Sequence, residues 1–159
     1  MTTTPAEAGG SNVPPDRARP RMEIRNRQTA GLTFRADPWA ARKAGARATA
    51  TVRSWGYEHL DEPDLETAVR RLVDAAVADG GKRISVHLAD QDHRILAVAL
   101  SHVAGSAPDE GAVLTELAAL RTVVSCGSDV GPDGRRVWAL LDAAPSRRRG
   151  KGPDGLTMT

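Results

Sequence analysis

Residues 64–79, Asp-Leu-Glu-Thr-Ala-Val-Arg-Arg-Leu-Val-Asp-Ala-Ala-Val-Ala-Asp, limit the choice of fold more than any other stretch. Leu65, Ala68, Val69, Leu72, Val73, Ala76 and Val77 recur at steps of three and four, which draws one apolar stripe along a helix. Pro63 and Asp64 mark its start, with a capping oxygen and a negative charge at the N-terminal end. Gly80 supplies a left-handed residue to end it. A helix with one apolar stripe has to lie against another layer. Its other side carries Glu66, Thr67, Arg70, Arg71, Asp74 and Asp79, and the functional reading turns on those residues.

Only 3% of the 159 residues are aromatic while 40% are hydrophobic, so that layer has to be built from Ala, Val and Leu. The net charge of +2 is unevenly spread: residues 1–35 carry +3, residues 145–159 carry +3, and residues 36–144 carry −4. Residues 1–28 and 145–159 are polar and basic, too poor in large apolar groups to offset the entropy of ordering. They read as a disordered arm and tail around one domain over 29–144. The single cysteine, Cys126, excludes an intramolecular disulfide and a multi-cysteine metal site. No apolar run reaches the ~20 residues of a membrane span, and residues 1–11 lack the pattern of a secretory signal. The expectation is a cytoplasmic protein with no membrane partner.

The rest of the domain alternates clearly. Leu32-Thr-Phe-Arg-Ala36 reads as a strand, and Asp37-Pro38 opens a helix running to about Trp55, with Asp37 as its cap. That helix has Ala41, Ala44, Ala48, Val52 and Trp55 inward, Trp39 at its top and a weakening Gly45 inside, and Gly56 ends it. Residues 83–89 and 94–100 form a hairpin across Asp90-Gln-Asp-His93, the second strand being apolar throughout and hence central. Residues 110–121 form a third helix capped by Asp109. Residues 122–126 and 135–142 are strands on either side of the Gly131-Pro-Asp-Gly134 turn. The order predicts an α+β two-layer sandwich: three helices on one face of a four- to five-stranded mixed, largely antiparallel sheet.

Ala36-Asp-Pro38, Trp55-Gly56, Leu72-Val-Asp-Ala-Ala76, Gly80-Gly81 and the closing Val137-Trp138 occur in an order that resembles the anti-sigma-factor serine kinases. These are small ATP-binding proteins of the GHKL (Bergerat-fold) superfamily, and the resemblance spans residues 32–142. It implies an ATP site on the second helix, where the family carries a glutamate base, a magnesium-holding asparagine and a later His or Tyr. In this sequence those positions are Arg71, Ala75 and Asp79. Arg71 cannot accept a proton, and Ala75 offers a hard cation no side-chain oxygen. Asp74 is one residue from Ala75, but about 100° away around the helix. His102 stands where the family places the aspartate that accepts the adenine amino group, and the glycine after it is displaced to Gly105. The phosphate-cradling lid is Ala107-Pro-Asp-Glu-Gly-Ala112, which keeps Gly111 but adds Asp109 and Glu110.

These departures imply a non-catalytic, protein-binding regulator with no cofactor. Its expected partner is a sigma factor or an antagonist protein of the kind these kinases phosphorylate, met as a homodimer or as a heterodimer with a related chain. Two alternatives stay open. One is an active serine kinase using Mg-ATP, with Asp74 or Asp79 on the metal and His102 as base. The other is nucleic-acid contact through Arg147, Arg148, Arg149 and Lys151 or the arginines of residues 17–27, which a lack of interleaved aromatics disfavours. His59, His87 and His93 show no ligand spacing, and Cys126 reads as a small buried hydrophobe.

Overall fold

A computed structural model describes residues 27–103 and 110–143. The arm and tail expected over 1–28 and 145–159, residues 27 and 28 aside, lie outside these, as do Gly105 and residues 107–109 of the lid. The elements run β1 (Thr29–Arg35), α1 (Ala40–Arg53), α2 (Glu62–Ala78), β2 (Arg83–Asp90), β3 (Arg94–Leu100), α3 (Glu110–Ala118), β4 (Val123–Gly131) and β5 (Gly134–Asp142). The five strands lie in the order β1-β2-β3-β5-β4. Every pairing is antiparallel, which replaces the expected mixed sheet. β3 is the central strand, as its apolar sequence predicted.

Alternation sets the two faces of the sheet. Leu32 and Phe34, Ile84, Val86 and Leu88, Ile95, Ala97 and Ala99, and Val137, Ala139 and Leu141 are buried in one core with the helices. α2 supplies Leu65, Ala68, Val69, Leu72, Val73 and Ala76 from the predicted stripe, with Val77 half-buried at its margin. It packs on β2, β3 and β5 and touches both other helices. Complete burial of a leucine such as Leu72 contributes roughly 1.5–3 kcal/mol. The opposite face of the sheet, with Leu96, Val98, Leu100, Trp138 and Leu140 along its middle strands, has no helix over it among the described residues.

Several boundaries differ from those expected, for local reasons. The cap of α2 is Asp61, whose carboxylate accepts the Asp64 amide at 3.0 Å, and Pro63 sits inside the first turn. Asp64 instead accepts from the amide and hydroxyl of Thr122, tying the start of α2 to the entry of β4. α1 begins at Ala40: Asp37 accepts the Trp39 amide at 2.9 Å, and no side chain caps the helix. α3 stops at Ala118. β4 continues past Cys126 to Gly131, because β5 offers a partner to residues of low strand propensity. Gly45, the weak point of α1, lies against α2; a Cβ there would stand 2.9 Å from the Cγ atoms of Glu66 and Arg70. Arg53 closes the α1–α2 hairpin with two bonds to the Glu62 carboxylate, at 2.7 and 2.8 Å. No helix among the described residues is long and apolar enough to cross a membrane.

Candidate functional site

The described positions singled out in the sequence separate into four places. Arg71 and Asp74 are exposed on α2, and Arg71 meets Glu116 of α3 at 3.4 Å. Ala75 and Asp79 turn inward instead. Ala75 is 5% exposed and belongs to the core, so the buried face of α2 is wider than its predicted stripe. Asp79 closes the last turn of α2 as its C-cap, followed by Gly80 at φ +90°.

The inward face at this end is completed by Arg135, the second residue of β5. Its Nε donates to Asp79 Oδ2 and its Nη2 to Asp79 Oδ1, each at 3.0 Å, and Nη2 also donates to the Ala75 carbonyl at 3.0 Å. Both side chains of the pair are 3% exposed. The fork of a guanidinium matches a carboxylate in two places at once, which fixes both groups in direction as well as distance. The Ala75 carbonyl is one of the four that a helix leaves without an internal partner at its C-terminal end, and a cation is favoured there by the helix dipole. Arg135 thus neutralises a buried acid and caps a helix. Its remaining nitrogen, Nη1, is buried without a hydrogen-bond partner among the described residues.

The sequence reading left Arg135 unremarked, yet the signal was present. Val137, Ala139 and Leu141 alternate with Trp138 and Leu140 along the strand, and two residues before Val137, on the same strand face, stands Arg135. An arginine directed into a core requires a buried acceptor.

His102 lies elsewhere. Its Nε2 is 2.7 Å from Ser85 Oγ. Ser85 alternates with Ile84 and Val86, which face the helices, and so belongs to the other face of the sheet. The structure therefore does not bring His102 together with Asp74 or Asp79. A serine beside an imidazole is half of a nucleophile–base arrangement, but no carboxylate bonds the ring's other nitrogen among the described residues. His102 has φ +62°, a left-handed conformation uncommon outside glycine. The chain is held in this conformation by close neighbours: a Cβ on Gly134 would meet Val103 N at 2.7 Å and His102 N at 2.8 Å, and one on Gly81 would meet Ser101 O at 3.0 Å. Gly111 is exposed in the first turn of α3, and a Cβ there would meet no atom of the described residues within 4 Å.

Among the described residues no three His, Cys, Asp or Glu side chains are grouped so as to hold a metal ion. Cys126 is half-buried; its Sγ donates to the Leu114 carbonyl at 3.6 Å, and burial pushes the thiol pKa up, away from the reactive thiolate. Comparison with known proteins finds no matching family model and no matching curated relative.

Proposed function

We propose that this chain is a non-catalytic protein-binding regulator built on the anti-sigma-kinase plan, acting on a sigma factor or an antagonist-type partner. One observation carries the reading. The two helix positions that would face a metal and phosphates, Ala75 and Asp79, are both engaged by the Arg135 guanidinium. An acid whose two oxygens are held in a bidentate pair is poorly placed to ligate Mg²⁺, which demands near-ideal octahedral oxygen geometry. The His102 ring adds to this by its bond to Ser85 on the other face of the sheet, because a general base must stand within hydrogen-bond reach of the proton that it takes. A protein that keeps its core and blocks its own nucleotide positions retains its surfaces, and binding is what surfaces do.

Titration of the full chain with Mg-ATP, followed by calorimetry, tests the reading. The expected result is no heat of binding up to millimolar nucleotide. Micromolar binding would return the chain to the ATP-dependent kinases.

A further inference from the structure

β1 forms one border of the sheet, and no described strand pairs with its outer edge. Beside it runs a groove of about 470 Å³ lined by Thr33, Phe34, Arg35, Lys43, Ala46 and Arg47. Three of these six residues are cationic and none is acidic. None of the three has an ion-pair partner among the described residues. The Arg47 guanidinium lies over the Phe34 ring, 5.4 Å from its centroid, which holds that charge at the groove wall.

An unpaired strand edge and an adjoining groove of one charge sign are together the two halves of a recognition mode in which an extended peptide adds itself to a sheet. The free backbone groups of the edge supply hydrogen bonds without regard to sequence, and the groove selects side chains at alternate positions. We propose that the β1 edge and its groove bind an extended acidic segment of a partner protein, as an added antiparallel or parallel strand. Carboxylates at every second position of that segment reach Lys43 and Arg47 on the helix side, while Phe34 and Ala46 provide an apolar floor. This deepens the protein-binding reading and rests on it for the class of partner.

Other occupants have the wrong charge. Residues 1–26 carry four arginines against three acids, and residues 145–159 carry +3, so both terminal segments are net cationic and neither offers the run of carboxylates that the groove calls for. A second copy joined β1 to β1 would bring a strand with no carboxylate and the same cationic groove residues, Arg35, Lys43 and Arg47, leaving those charges unmatched.

The probe is a fluorescein-labelled seven-residue peptide alternating Glu and Val, followed by anisotropy with the full-length protein at low salt. Binding is expected, and Lys43→Glu with Arg47→Glu should weaken it at least about tenfold. Both side chains are exposed, and an unchanged thermal melt verifies that the variant folds. A Lys-Val peptide should not bind, and N-methylation of alternate amides of the acidic peptide should abolish binding. Failure of the acidic peptide to bind, or binding indifferent to the charge reversal or to N-methylation, overturns the proposal. So does a Lys43- and Arg47-dependent dimer in sedimentation that excludes the peptide, or an oligothymidine that binds there in its place. The nucleotide titration is independent of all these outcomes, so loss of either reading is visible without loss of the other.

Discussion

Replacement of Arg135 by Met leaves the Asp79 carboxylate in a site where its side chain is 3% exposed, without the two bonds at 3.0 Å that match it. The Ala75 carbonyl loses its partner in the same step. Breaking a buried pair from one side costs roughly 3–5 kcal/mol, because the charge that remains has neither water nor a counter-ion. With a urea m-value of about 2 kcal/mol/M for a domain of this size, the midpoint of unfolding falls by about 1.5–2.5 M. Asp79→Leu should cost a comparable amount for the complementary reason. The double variant Arg135→Met with Asp79→Leu should recover most of the loss, since an apolar pair of similar volume carries no desolvation penalty and removes the orphaned Nη1. Urea titrations followed by tryptophan fluorescence give all four corners of the cycle. Single losses below about 1 kcal/mol, or a double variant whose loss is the sum of the two, would refute the claim that the pair is a coupled unit.

Three further perturbations test the local geometry. Gly134→Ala should destabilise by at least about 2 kcal/mol in the same assay, because its Cβ meets backbone atoms at 2.7–2.9 Å and its φ is +126°. Gly45→Ala should stay within about 1 kcal/mol of the parent: the atoms at 2.9 Å are flexible side-chain carbons, and the gain in helix propensity offsets the crowding. The Tyr57 hydroxyl is pushed up to about 12, first by burial and then by its hydrogen bond to Asp90. Its contribution to stability is therefore complete below about pH 10 and lost as pH rises through about 12. Tyr57→Phe should remove that part of the alkaline loss in pH-dependent melts, and an unchanged profile would rule Tyr57 out as its source.

The sequence disclosed the parts of this protein whose physics is local. The α2 stripe, the Gly80 and Gly56 exits and the tight Gly131–Gly134 turn each follow from a few neighbouring residues, and each stands where it was expected. Asp61 was hidden as a cap because Pro63 and Asp64 also suit the start of a helix, and only the position of Thr122 decides between the two acids. The lower half of β4 was hidden because Gly127, Ser128 and Asp129 have no strand preference of their own; pairing with β5 gives them one. The Arg135–Asp79 pair joins residues far apart in the chain, and strand parity alone could announce that an inward arginine needed an acid, without saying which. His102 shows the same limit from the other side. Its place in the chain suggested a role beside α2, whereas alternation in β2 carries its partner Ser85 to the far face of the sheet.

The order of strands also governs how the molecule comes together. β2 with β3, and β4 with β5, are hairpins closed by short turns, and such units form in microseconds. β1 can meet β2 only after residues 36–82, with both long helices, have been looped out between them, and β3 meets β5 across residues 101–133. Closure of such loops is charged against entropy before any contact rewards it. A newly made chain therefore holds its two hairpins ready while β1 is still unattached, and for that interval the border of the sheet is β2. Whatever restrains self-association of this protein during synthesis has to act there, on a strand that the finished fold conceals.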